Sequence, residues 1–290
     1  MDTERAAVLA ELEKAGIRHM PLKGCVLKEY YPQIGMRQLS DQDILCDVSR
    51  SRDVRTIMES LGFKTVVYAS NHYSHDRYDK EPVCSFEMHR ALFAPAAGDA
   101  VFRYNRDIRD RMLKDDGSDF RYHLSHEDFY VYMIAHEYKH YARRGTGLRS
   151  LLDTYVYLTH ESPDMACVAG EIGKLGLTDF EAANRSLSMH LFGGEPLTAE
   201  DREMLDYILS SGVYGTMSHG IDRQIREKGR WGCLRSRITP PPDAMIEMYP
   251  VLGRVSLLYP FCWSHRLIHS FIFKHRAFMY QLKAILTRKE

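Results

Sequence analysis

Met20-Pro21-Leu22-Lys23-Gly24 and, a few residues on, Met36-Arg37-Gln38-Leu39-Ser40-Asp41-Gln42-Asp43-Ile44-Leu45 decide how this chain is read. The first is a strand-like run closing on a Lys-Gly turn, and the second ends in Asp-x-Asp on another strand-like run. Side chains alternate between the faces of an extended strand, so Asp41 and Asp43 are expected on one face and Gln42 on the other. Two carboxylates on one face form a hard-oxygen site of the kind Mg²⁺ shares between protein and substrate phosphates. Taken alone, Asp-x-Asp is a weak signal that reads first as two solvated acids at a strand end. A third carboxylate shifts the balance. In Val83-Cys84-Ser85-Phe86-Glu87-Met88-His89, alternation puts Ser85, Glu87 and His89 on one face and Phe86 and Met88 on the other.

Working outward, 290 residues with 44% hydrophobic content can form one large domain or two ordinary ones around a real core. Lys plus Arg and Asp plus Glu number 39 each. No overall field therefore draws in nucleic acid or an anionic membrane, and a polymer substrate is not favoured. Six cysteines are scattered singly without Cys-x-x-Cys spacing, and the start does not read as a secretory signal, which points to a reducing cytoplasm. The most apolar stretch, residues 251–273, is interrupted by Arg254, His265, Arg266 and His269, so no membrane span is expected.

The chain divides by pattern. Helix is expected over residues 2–15 up to Gly16, strand over 17–22, a short helix over 25–31 and strand over 39–48. A helix capped by Ser49 follows over 50–61, then a strand over 63–68. Residues 70–80, with His72, His75, Asp76, Arg77 and Asp79, read as an edge strand or a loop before the Glu87 strand. Beyond Phe93 the pattern turns helical. Charged residues 99–114 end at a boundary near Asp115-Asp116-Gly117-Ser118, and Ser125 with Asp128 has capping-box spacing at the head of a long helix. Further helices are expected at 148–160, 164–175, 178–190, 199–211 and 244–285.

These residues carry a resemblance. Leu22-Lys23-Gly24, then Arg37-Gln38-Leu39-Ser40-Asp41-Gln42-Asp43-Ile44, then Glu87-Met88-His89 resemble the motifs of the uncharacterised nucleotidyltransferase family of the DNA polymerase β-like superfamily. His136-Glu137-Tyr138-Lys139-His140 and Leu148-Arg149-Ser150-Leu151-Leu152-Asp153 extend the likeness, which covers about residues 10–160. The wider superfamily has Gly-Gly or Gly-Ser where this chain has Lys23-Gly24. The resemblance implies an α+β fold, in which a mixed nucleotidyltransferase sheet with helices over residues 1–115 is followed by an all-helical domain over 116–290 that completes a cleft.

The resemblance further implies Mg²⁺-dependent transfer of a nucleoside monophosphate from a nucleoside triphosphate to a hydroxyl on a small molecule or protein. Asp41, Asp43 and Glu87 would hold two Mg²⁺ ions, with Glu87 also drawing the proton from the acceptor. Lys23 and Gly24 read by spacing as an ordinary turn; the resemblance makes them a phosphate contact. Ser40 can bond phosphate or simply start the strand, and Arg37 can clamp the triphosphate or the Asp pair. Lys139 and His140, on a cationic helix face with His136 and Arg143, would reach phosphate or substrate. His89 can orient Glu87 or the acceptor, and Arg149 with Asp153 has the spacing of a helical ion pair.

Two other functions compete. His136-Glu137-Tyr138-Lys139-His140 matches His-Glu-x-x-His and so allows a zinc hydrolase using His136 and His140, although position 143 is Arg and no further His follows until His160. A non-catalytic module binding a nucleotide or a partner is the other.

Overall fold

The computed structural model describes residues 1–70, 74–93, 99–143, 145–211, 217–240, 242–253, 255–273 and 275–287. His72 and Arg254, noted above, lie outside these. By its contacts the chain forms two compact units, Met1–His136 with Leu152–Arg185, and Glu137–Leu151 with Ser186–Glu290. The first of these takes in residues on both sides of position 115, the division expected from the sequence.

That first unit opens with α1 (Asp2–Lys14), β1 (His19–Pro21), a short α2 (Gly24–Leu27) and β2 (Gln42–Cys46). It continues through α3 (Ser51–Ser60), β3 (Lys64–Val67), β4 (His75–Lys80) and β5 (Cys84–His89). The five strands lie in the order β1-β2-β5-β4-β3. The β2–β5 pair is parallel and the other three pairs are antiparallel, so the sheet is mixed as expected. Alternation divides its faces. Ile44 and Cys46 of β2, Tyr78 of β4 and Cys84, Phe86 and Met88 of β5 join Val8 and Leu12 of α1 and Val54 and Met58 of α3 in one buried core. The intervening side chains, Asp43, His75, Glu87 and His89, are thereby sent to the opposite face.

Several expectations change in detail. Residues 75–80 form an interior strand rather than an edge or a loop. The polar Asp76 is tolerated at 3% exposure because the Ala69 N–H donates to it at 2.7 Å and Arg90 stands 3.6 Å away. The cap ahead of α3 is Asp47, not Ser49: its carboxylate accepts the Ser49 N–H at 2.9 Å and opens a 3₁₀ turn over Val48–Arg50.

After β5 come α4 (Asp99–Arg106), a two-stranded ribbon of β6 (Leu113–Lys114) and β7 (Tyr122–His123), and α5 (His126–Arg143). The capping spacing at Ser125 is realised, since its hydroxyl accepts the Asp128 N–H at 3.1 Å. Next are α6 (Leu148–His160), α7 (Met165–Leu175) and α8 (Thr178–Gly193). Within the first unit Tyr157 of α6 stacks on Tyr130 of α5 and meets Tyr30 edge-on, while the Tyr130 hydroxyl donates to buried Glu181 at 2.9 Å.

The second unit adds α9 (Ala199–Ser211), α10 (Met217–Ile238), α11 (Pro242–Met248), α12 (Tyr259–Phe273) and α13 (His275–Thr287). The helix expected over 244–285 is therefore several pieces, and α10 has no counterpart in the sequence reading. Ile221, Ile225 and Cys233 of α10 close on Ile285 of α13. Among the described residues no helix is long and apolar enough to cross a membrane.

Candidate active site

β2 and β5 lie side by side with Asp43 opposite Glu87 and Leu45 opposite His89. The parallel register brings two residues far apart in sequence to one level of the sheet. β4 pairs with the other edge of β5, placing His75 opposite His89 and Arg77 opposite Glu87. Asp41 precedes the first residue of β2 and is half-buried, so it joins the group from the entering loop rather than from the strand.

Asp43 is the centre of this group. Its Oδ1 accepts from Lys23 Nζ at 2.7 Å and lies 2.7 Å from His89 Nε2. Glu87 lies 3.4 Å from His75 Nε2 and 3.6 Å from His89 Nε2. Ser40 donates to Asp41 at 2.9 Å. Lys23 reaches Asp43 from a turn in which its own φ is +47°, a conformation uncommon for a side-chain-bearing residue. The turn is anchored by the Leu22 N–H, which donates to the Asp43 carbonyl at 2.9 Å.

Electrostatics separate the three acids. Burial opposes charge on Asp43, but Lys23 and His89 hold its carboxyl far below the usual carboxylate range. Burial also opposes charge on Glu87, and His89 and His75 outweigh it, again lowering the carboxyl. Asp41 goes the other way: burial, then repulsion from Asp43 and Glu87, raises it. That repulsion is the signature of carboxylates crowded without enough positive charge. On the basic side, burial opposes charge on Lys23 and on His89, yet Asp43 raises the first, and Asp43 with Glu87 the second. Burial takes His75 down to about 4, which keeps its imidazole neutral near pH 7.

Other candidates fall elsewhere. Arg37 Nε and Nη2 donate to the two oxygens of Asp153, each at 2.7 Å, and the Tyr31 hydroxyl donates to the same carboxylate at 2.7 Å. A Cβ on Gly24 would come within 2.4 Å of Arg37 Nη1 and of Leu39 Cδ2, so this glycine is needed for close packing of the loop that carries Arg37. Lys139 and His140 belong to the second unit, while Lys23, Asp41, Asp43 and Glu87 belong to the first. Among the described residues, the His and acid side chains close enough to share a metal ion are His75, Glu87 and His89 rather than His136 and His140. His75 was legible only as part of a polar run. Tyr132 of α5, buried beside the Lys23 charge with no partner for its hydroxyl among the described residues, carried no sequence signal at all.

Residues 1–193 match the model of a family described as uncharacterised nucleotidyltransferase. Among solved structures, the solution structure of the antibiotic-resistance factor ANT(2'')-Ia aligns at 12% identity and a TM-score of 0.32, over 66% of this chain and 90% of that one. No curated protein matches the sequence.

Proposed function

Since the chain belongs to the uncharacterised nucleotidyltransferase family, we propose that it moves a nucleoside monophosphate from a nucleoside triphosphate onto a hydroxyl acceptor, on a small molecule or a protein, and releases pyrophosphate. The observation that carries the reading is the register of β2 and β5, which sets Asp43 against Glu87 with Asp41 close enough for both to raise its pKa.

Carboxylate oxygens are the donors a divalent cation of the Mg²⁺ class takes, and Asp41, Asp43 and Glu87, which repel one another enough to raise Asp41, are the residues that would hold it, although among the described residues it is His75, Glu87 and His89 that stand within metal-sharing distance. Bound there, such an ion supplies neutralisation of triphosphate charge and a more acidic acceptor hydroxyl. The chain's own groups do the rest. Asp43 stays ionised across the physiological range because Lys23 and His89 sit on it. Lys23 is the nearest fixed cation and, with Gly24, forms the turn that faces the phosphates. Glu87, kept ionised by its hydrogen bond from His89, takes the acceptor proton. The acceptor oxygen bonds to the α-phosphorus, the bond from that phosphorus to the bridging oxygen breaks, and pyrophosphate leaves with the electron pair. Ser40 steadies Asp41, whereas Arg37 acts through Asp153 to hold the entering loop. Lys139 and His140, which the resemblance makes phosphate contacts, lie in the second unit and are given no part in this step.

The test is pyrophosphate release from each of the four ribonucleoside triphosphates with Mg²⁺, over a panel of hydroxyl acceptors and cell extract, for the native protein and Asp43→Ala. Release that disappears in the variant supports the transfer reaction. Nucleotide binding without release under every condition would move the reading to a binding module.

A further inference from the structure

Glu87 faces two kinds of neighbour. Towards β2 lie the carboxylates of Asp43 and Asp41, and towards β4 and the end of β5 lie two imidazoles. His75 Nε2 is 3.4 Å from Glu87 Oε1, and His89 Nε2 is 3.6 Å from Glu87 Oε2. The ligand atoms of all three residues lie within 4.8 Å of one another, and the two rings stand 5.2 Å apart between centroids. Zinc bonds to imidazole nitrogen and carboxylate oxygen of about 2.0–2.1 Å in a tetrahedron put neighbouring ligand atoms roughly 3.3–3.4 Å apart. An octahedral ion with similar bonds needs them nearer to about 3.0 Å. The separations from Glu87 to the two imidazoles are near the tetrahedral value, and all three ligand atoms lie within reach of one ion.

The scaffold suits it too. His75 and His89 are cross-strand partners on β4 and β5, and Glu87 lies two residues before His89 on the same strand face. All three thus project from interior strands of the sheet rather than from loops. His89 is 4% exposed, and it is its Nε2 that faces Glu87 and Asp43. Two nitrogens and one carboxylate select a borderline-soft ion over Mg²⁺.

We propose that His75, Glu87 and His89 form a binding site for a zinc-class transition-metal ion, distinct in chemistry from the all-carboxylate group and sharing Glu87 with it. The site rests on these three side chains and holds whether or not the chain catalyses nucleotidyl transfer. Occupancy has a local consequence. A ring nitrogen of His89 that binds the ion gives up its hydrogen bond to Asp43, leaving that carboxylate to Lys23 and to whatever cation Asp41 and Asp43 bind together.

The experiment is titration of the untagged full chain with Zn²⁺ against a chromophoric chelator, with Co²⁺ as a spectroscopic substitute. One equivalent of Zn²⁺ should bind, and Co²⁺ should show the intense visible bands of a tetrahedral site. His75→Ala should weaken zinc at least about tenfold, whereas His136→Ala should not. Should His75→Ala fail to fold by circular dichroism, His75→Gln replaces it, and Glu87→Gln should weaken zinc in the same way. Native affinity in a folded His75 variant, loss of zinc in His136→Ala, or no binding to the native chain would each overturn the proposal. Pyrophosphate release, measured separately, reports on the transfer reaction and is not a readout of this site.

Discussion

Asp153 holds both arms of the Arg37 guanidinium and the Tyr31 hydroxyl, with both ion-pair side chains under one-tenth exposed. Taking one partner from such a pair leaves the other charged and buried, which costs about 3–5 kcal/mol. Asp153→Ala should lower the denaturant midpoint by that order, and Asp153→Leu should recover little, because Arg37 stays in place. Asp201, 2% exposed, gives a second test. Burial opposes its charge, yet His190, the Thr198 N–H and Ser186 bring its carboxyl down to about 2 from an ordinary 3.8. A carboxyl lowered on folding stabilises above its unfolded pKa and loses that contribution as pH falls through the folded value. The native chain should therefore lose about 2 kcal/mol between roughly pH 4 and pH 2 from this group. Asp201→Asn should start lower at pH 7 and show a flatter acid limb in pH-dependent chemical denaturation.

Legibility at this scale was uneven. Asp41, Asp43 and Glu87 stood out because acids alternating with core residues need a reason. Arg37 did not disclose its partner: it could be assigned to the triphosphate or the Asp pair, and the structure sends it to a residue 116 positions away. Asp153 in turn could be assigned to Arg149 four residues before it, and its carboxylate goes to Arg37 and Tyr31. Helical spacing is visible in a sequence, and a bidentate contact across the fold is not.

Elements behave similarly. The α2 turn is tight enough that Gly24→Ala must push aside both Leu39 and the end of an Arg37 already fixed to Asp153. A loss of about 1–3 kcal/mol is expected in thermal or denaturant unfolding, as for other overpacked positions. In β4, Tyr78 is fully buried in the helix-side core, and Tyr78→Ala should cost about 3–5 kcal/mol by the same measurement, the range for a large buried ring. An edge strand would not respond so strongly. β5 could be read strand by strand because its alternation is clean. β4 could not, because its charged residues look solvated until Ala69 and Arg90 meet Asp76. The α10 helix was invisible for another reason: it carries Gly220, Gly229 and Gly232, with Gly229 at φ +69°, and shows no sustained apolar stripe.

Over the molecule as a whole, the first unit draws on residues both before and after position 115. Phe93 packs on Tyr132, and Tyr30 and Arg37 rest on Tyr157 and Asp153, all within the first unit. A fragment ending at residue 115 keeps the sheet but loses those partners, so it should show no cooperative transition in differential scanning calorimetry, whereas the full chain should. Periodicity, capping signals and the Asp-x-Asp, Glu-x-His pattern were enough to read an α+β chain, most of its elements and a crowd of acids, because each is a local property of a few consecutive residues. The placing of β4 inside the sheet, the grip of Asp153 on Arg37 and the meeting of His75 with Glu87 and His89 depend on which strands and helices become neighbours. That choice is made by the burial of side chains distant in sequence, and no short stretch contains it.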